Sequence, residues 1–200
     1  MSQKDSSVPL LLETIKIEDG KIHNLHYHQN RCTNSRQKLY HSHDVLDLSS
    51  IIEPPKVGLY RCRIIYEKHL HSIEYVPYIP KKIQRLKIVS SDIEYRFKYA
   101  NRDALNALLE SNKDVDEVII EKKGYLADTT ISNIAFFDGK QWVTPLKPLL
   151  EGTMRAKLID EGFLQPKEIK KEDLKNYSQV ALMNAMIGFK ILNIEPYKIP

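Results

Sequence analysis

Cysteine is scarce: Cys32 and Cys62 are the only two in 200 residues, far apart and with no CxxC pair. That excludes a disulfide framework or a thiol-rich metal knuckle and predicts reduced thiols. No apolar run approaches the ~20 residues of a membrane-spanning helix. The opening Met1-Ser2-Gln3-Lys4-Asp5-Ser6-Ser7 leads into a short apolar stretch that ends at Glu13, which supports neither a signal peptide nor a span. A cytoplasmic protein without membrane contact is the expectation. Neither sign of charge dominates: 30 basic residues face 26 acidic ones, a net +4. This describes a mixed surface rather than a nucleic-acid footprint. Internal repeats and low-complexity tracts are absent too, which argues against a solenoid. The pairs His26-Tyr27-His28 and His41-Ser42-His43 lack acidic or thiol partners at zinc spacing, so no metal is expected and these histidines are read as solvated.

What is present suffices for a large core. With 42% hydrophobic residues, the chain can fold as one large domain or two small ones. Residues 8–17 are rich in Leu and Ile and run into Glu18-Asp19-Gly20-Lys21, a strand entering an Asp-Gly hairpin turn. The stretch 27–40 has no breakers and predicts a surface helix. A second helix is expected over 44–55, stopped by Pro54-Pro55. Residues 58–66 and 70–78 carry the β-branched and aromatic content of paired strands. Pro77, Pro80, Lys81 and Lys82 then mark a connection, dividing the chain into 1–80, a small α/β domain, and 81–200, a larger one. Beyond it, strands are expected at 83–89, 116–121, 133–137 and 142–145, with helices from 102 and through 159. The fold class is α+β or α/β.

One spacing carries chemistry. Lys98 lies in Tyr95-Arg96-Phe97-Lys98-Tyr99-Ala100-Asn101-Arg102, and about thirty residues on comes Leu126-Ala127-Asp128-Thr129-Thr130-Ile131-Ser132-Asn133. A lysine able to form a Schiff base, followed by an acid in a hydroxyl-rich turn, is a minimal kit for pyridoxal phosphate. Lys98 would engage the aldehyde, helped toward its neutral form by burial and by the nearby Arg96 and Arg102. Asp128 would meet the pyridine nitrogen; a turn aspartate capping Thr130 or Ile131 is the plainer reading of that residue taken alone. In Leu149-Leu150-Glu151-Gly152-Thr153-Met154-Arg155 a helix begins, so the backbone N–H groups of Thr153 and Met154 can bind phosphate, with Arg31 as the cation. Arg61 and Arg63 alternate along one strand and share a face opposite Cys62, where one or both can bind substrate carboxylates.

These segments, in this order, resemble the class IV aminotransferase family, the fold type IV pyridoxal phosphate enzymes. Glu13-Thr14-Ile15-Lys16-Ile17-Glu18-Asp19-Gly20-Lys21, followed by His28-Gln29-Asn30-Arg31, looks like the family's first hairpin and its helix. The resemblance implies a two-domain fold like that of D-amino acid aminotransferase, with a trimmed N-terminal small domain and the cofactor in 81–200. It assigns Arg31 to the cofactor phosphate. Lys98-Tyr99-Ala100-Asn101-Arg102 and Met183-Asn184-Ala185-Met186 are closest to aminodeoxychorismate lyases, which makes Asn184 a residue near cofactor and substrate. Where the family usually has glutamate this chain has Asp128, so either the backbone approaches the ring more closely or a water bridges the gap.

The resemblance implies conversion of 4-amino-4-deoxychorismate to 4-aminobenzoate and pyruvate, a step toward folate. Lys98 would remove the proton at the amine-bearing carbon, and Thr14 or Lys98 would protonate the leaving group. The alternatives are a class IV aminotransferase for branched-chain or D-amino acids and, from another class, a cofactor-free binding protein on the same scaffold. A homodimer is implied by the family.

Overall fold

A computed structural model describes residues 8–200. The chain forms two compact units, one running through Pro77 and including Phe97–Arg102, the other made of Tyr78–Arg96 and Asp103–Pro200. This differs from a single cut at residue 80 in that the lysine-bearing segment returns to the first unit.

The first unit contains β1 (Leu11–Glu18), β2 (Lys21–Ile22), α1 (Leu25–Tyr40), the single turn α2 (Leu48–Ile51), β3 (Leu59–Tyr66) and β4 (Leu70–Pro77). Its antiparallel sheet has the order β2-β1-β3-β4. Asp19 and Gly20 both have positive φ, 48° and 79°, the backbone of the two-residue hairpin turn that an Asp-Gly pair favours. Alternate residues of β1 point inward: Leu11, Ile15 and Ile17 pack with Cys62, Ile64 and Tyr66 of β3 and with Cys32 of α1. Glu13 stands in the same alternation.

Residues 98–100 complete this sheet. The Leu12 N–H donates to the Lys98 carbonyl (2.8 Å), and the Ala100 N–H donates to that of Leu10 (2.9 Å). They lie along the edge of β1 that β3 leaves open, and the rings of Phe97 and Tyr99 pack against the unit's core.

The surface helix expected over 27–40 forms as α1, with His26, Asn30, Asn34, Gln37 and Lys38 exposed, but its inner face of His28, Cys32, Ser35, Arg36 and Tyr40 is buried and largely polar. Arg36 is 1% exposed. It donates to the carbonyls of Glu67, Asp44 and Lys68 and to the Asp44 carboxylate, so its buried fork is hydrogen-bonded along both edges. The helix expected over 44–55 contracts to α2, begun by Asp47, whose side chain accepts from the Ser49 N–H (2.8 Å). Arg36 holds Asp44 outside it.

The second unit comprises β5 (Leu86–Ser90), α3 (Asp103–Glu110), β6 (Glu117–Lys122), β7 (Tyr125–Thr129), β8 (Asn133–Phe137), β9 (Trp142–Pro145), α4 (Thr153–Asp160), β10 (Leu164–Lys167), β11 (Gln179–Asn184) and β12 (Gly188–Ile191). Its sheet runs β10-β9-β8-β7-β6-β5, with β11 on β8 and β12 on β11. The β5–β6 and β9–β10 pairs are parallel and the others antiparallel. Ile119, Ile134, Phe136, Val180 and Leu182 form its main core, each buried aliphatic side chain contributing about 1.5–3 kcal/mol. Among the described residues no helix is long and apolar enough to cross a membrane.

Candidate active site

In the first unit, a buried carboxylate organises the groups around Lys98. Glu13 has no exposed surface. It takes the Arg31 guanidinium as a fork, Nε to Oε1 at 2.9 Å and Nη2 to Oε2 at 2.6 Å, while His28 Nδ1 lies 2.6 Å from Oε2. A carboxylate only accepts, so the proton sits on His28 Nδ1. Burial alone would push the Glu13 carboxyl up, but the Arg31 charge and the bonds from His28 and Arg31 outweigh it and hold it down to about 2. Burial also depresses the His28 imidazole, against the pull of Glu13. His28 is thus wholly buried, a correction to its reading as a solvated histidine.

Lys98 is half-buried along its length. Its amine is brought down to about 7, first by burial and then by the Arg31 charge, with Glu13 opposing and Arg102 adding to the fall. At neutral pH a large share of this lysine carries a free electron pair, as a nucleophilic amine requires. The positive charges that matter are Arg31 and Arg102; Arg96, expected to help, is not among the causes.

The second unit holds the acid. Asp128 pairs with Asn133 across β7 and β8, and Asn133 with Met183 on β11, so three strands converge there. Asp128 Oδ1 accepts from Asn133 Nδ2 (2.7 Å) and Oδ2 from the Leu150 N–H (2.9 Å). Asn133 also donates to the Leu150 carbonyl (2.9 Å). Burial pushes the Asp128 carboxyl up to about 7 despite these bonds and the charge of Arg155. Such a group turns anionic readily once a cation stands beside it.

The same network reaches the start of α4. A Cβ on Gly152 would lie 1.9 Å from Asn133 Oδ1, so this position admits only glycine while Asn133 keeps its place. Thr153, the first residue of α4, is buried, and Met154 is half-buried against the aromatic cluster of Trp142 and Phe189. The turn after Asp128 is pinned by Glu117, whose Oε1 accepts from the Thr130 hydroxyl (2.7 Å), the Thr130 N–H (3.1 Å) and the Val118 N–H (3.0 Å). Asn184 ends β11 and holds this turn from the other side: it donates to the Ile131 carbonyl (3.2 Å) and accepts from the N–H groups of Met186 and Ile187. Asp128, Thr153, Met154 and Asn184 are thus brought to one end of the second unit's sheet.

Apart from Asn184, the residues expected at the substrate lie in the first unit. Thr14 is half-buried on β1, opposite Arg63, while Arg61 stands opposite Lys16. Arg63 donates to Glu74 (3.0 Å), an acid that competes with any substrate carboxylate. Arg61 keeps a buried Nε with no hydrogen-bond partner among the described residues.

A model of the family "Amino-transferase class IV" matches residues 70–193. The chain belongs to this family. Within the class IV aminotransferases, an "uncharacterized protein" of Haemophilus influenzae is 40% identical over 185 residues, covering 89% of this chain and 98% of that one. The crystal structure of a protein described as a candidate 4-amino-4-deoxychorismate lyase from Haemophilus somnus superposes with a TM-score of 0.84 at 39% identity, covering 94% of this chain and 99% of that one. A hypothetical aminotransferase of Mycobacterium tuberculosis, in its PLP-bound form, has a TM-score of 0.74 at 15% identity, covering 97% and 84%; at that distance the likeness is one of fold. The fold is that of the fold type IV enzymes, and the family implies pyridoxal phosphate as cofactor. The residues present fit that group: a depressed lysine amine beside an arginine, a buried acid, and a helix start packed too tightly for a side chain at Gly152.

Several organising residues escape a reading by motif. Glu13 is signalled only as an acid in the apolar register of β1. Glu117, Asn133 and Gly152 each have a partner 13 to 19 positions away in the chain, and no local pattern announces such contacts.

Proposed function

We propose that this chain is a pyridoxal phosphate-dependent lyase that converts 4-amino-4-deoxychorismate to 4-aminobenzoate and pyruvate. The observation that carries the proposal is Lys98, a half-buried amine brought down to about 7 beside Arg31. A lysine in that state both condenses with an aldehyde and serves as a general base near neutrality. The choice of lyase is supported by 39% identity, over almost the full length, to the Haemophilus somnus protein named as a candidate for that activity.

In this reading Lys98 is the residue to which the cofactor attaches, Asp128 faces the ring nitrogen, and Arg31 with the N–H groups of Thr153 and Met154 binds the phosphate. Bound there, pyridoxal phosphate supplies a sink for the electron pair left on the substrate's amine-bearing carbon. Lys98, freed when the substrate's amine takes its place, would remove the proton from that carbon. The C–O bond to the enolpyruvyl group then breaks, the ring becomes aromatic, and Lys98 or Thr14 delivers a proton to the departing group, which leaves as pyruvate. Arg61, whose Nε has no hydrogen-bond partner among the described residues, and Arg63 are the candidates for the substrate carboxylates, and Asn184 orders the turn beside Asp128. A cytoplasmic homodimer that supplies 4-aminobenzoate to folate synthesis completes the proposal, on the strength of family membership.

The test is reduction of the cofactor-treated protein with borohydride, peptide mapping, and coupled assays for pyruvate and 4-aminobenzoate. A label on Lys98 and release of both products are expected. Ketoacid-dependent amino transfer from an L- or D-amino acid panel, without product release, would assign the chain to the aminotransferases instead. A colourless protein that borohydride leaves unmodified would leave only a binding role.

A further inference from the structure

Glu117 opens β6 ahead of the apolar run Val118-Ile119-Ile120 and has no exposed surface. An acid in such a place is costly unless hydrogen bonds compensate. Its bonds all fall on one oxygen. Oε1 accepts from the Thr130 hydroxyl (2.7 Å), the Thr130 N–H (3.1 Å) and the Val118 N–H (3.0 Å), while Oε2 is buried with no hydrogen-bond partner among the described residues.

These bonds act where the backbone ladder stops. The pairing of β6 with β7 ends at Ile119 and Thr129, so Thr130 lies just past it, and the Glu117 side chain takes over there. The turn's shape comes from its own bonds, the Thr129 N–H to the Ser132 carbonyl (2.9 Å) and the Ser132 N–H to the Thr129 hydroxyl (3.0 Å). Such internal bonds do not fix where the turn stands on the sheet. β7 and β8 meet in register at Asp128 and Asn133, the residues that flank this turn, so any drift of the turn reaches the bond between them.

We propose that Glu117 is a positioning residue for Asp128, anchoring the turn at 129–132 to β6 so that the Asp128 carboxyl stays enclosed and within reach of Asn133 and the Leu150 N–H. That Asp128 serves a cofactor ring rests on the proposed function; the anchoring does not. Glu117 acts by place rather than by charge. The Asp128 carboxyl is raised by burial, against the bonds from Asn133 and Leu150, the charge of Arg155 on α4, and the Leu149 N–H, and Glu117 is not among these causes. Arg155 is itself bonded to Glu151 (2.8 Å).

The test is the titration of the Asp128 carboxyl in the apo-protein, followed by NMR of its carboxyl carbon. Glu117→Leu strands three buried donors, so the turn must move out to water, and the midpoint should fall from about 7 by about one unit or more as the carboxyl gains solvent. Glu117→Gln keeps an oxygen for the three donors and places its NH2 where Oε2 stands, so its midpoint should stay within about half a unit of wild type, whatever its melting temperature. Thr130→Val, which removes the hydroxyl alone, should lie between the two and serves as the test if Glu117→Leu does not fold. Affinity for pyridoxal phosphate, read by absorbance, should drop about tenfold in Glu117→Leu and stay within about twofold in Glu117→Gln. A midpoint in Glu117→Leu at or above that of wild type, or an equal fall in Glu117→Gln, would overturn the anchoring role. Wild-type protein that takes up no pyridoxal phosphate would instead refute the ring-nitrogen reading of Asp128, and the titration would still decide the role of Glu117.

Discussion

Replacing Asp128 by Asn should change the stability of the apo-protein in opposite directions at low and high pH. The Asp128 carboxyl is raised from 3.8 to about 7 by burial. Below 3.8 the folded and unfolded chains are both protonated there, and the favourable contribution is fully present. Above 3.8 the unfolded chain gives up its proton first, so stability falls by about 1.4 kcal/mol per pH unit until the folded state also ionises near 7. Over that window the loss amounts to about 4 kcal/mol, to within a factor of two. Asp128→Asn has no such slope. It pays a constant cost instead, because its amide NH2 must face one of two donors, the Asn133 side chain or the Leu150 N–H, at about 1–2 kcal/mol. The variant should therefore be the less stable protein at pH 4 and the more stable one at pH 8. Urea unfolding followed by Trp142 is the assay, since this is the chain's only tryptophan, is buried, and lies in the same unit as Asp128. Parallel stability profiles for the two proteins from pH 4 to 8 would refute the reasoning and mean that the bonds from Asn133 and Leu150 outweigh burial.

Attachment of pyridoxal phosphate to the apo-protein should accelerate with rising pH through a midpoint near 7, because only the neutral Lys98 amine attacks; a midpoint near the ordinary 10.5 would contradict the depressed amine, and Lys98→Arg should not attach at all. Gly152→Ala forces a methyl group to within 1.9 Å of Asn133 Oδ1 unless something moves, and should cost about 1–3 kcal/mol in a thermal melt. A melting temperature equal to wild type would show that Asn133 swings away freely. Arg36→Met removes the donors that serve the carbonyls of Glu67, Asp44 and Lys68, and a loss of about 3 kcal/mol or more is expected by chemical denaturation. A change below about 0.5 kcal/mol would mean that water replaces the guanidinium.

What can be read from the residues alone is what local physics determines. The Asp-Gly turn after β1, the β-branched strands β3 and β6, and the stop before Pro54-Pro55 all follow from backbone preferences of a few neighbouring residues. The buried face of α1 does not, because His28 and Arg36 are polar and a pattern of hydrophobicity assigns them to solvent; only their distant partners, Glu13 and the carbonyls of 67 and 68, make the interior tolerable for them. β10 and β12 are hard to read for another reason: Leu164–Lys167 and Gly188–Ile191 are short edge strands with little apolar alternation. Lys98 and Asp128 stand out by spacing and residue type, but the depression of one and the elevation of the other depend on burial, which no short stretch of sequence encodes.

The return of Phe97–Arg102 to the first sheet also governs how this polypeptide could be dissected. A fragment severed near residue 80 would lose the mates of the Leu12 N–H and the Leu10 carbonyl, together with two aromatic rings from its interior. Its counterpart would carry the reactive lysine on a tether with nothing to dock it. Two such pieces expressed apart should each be defective, and recover their character only by complementation in trans.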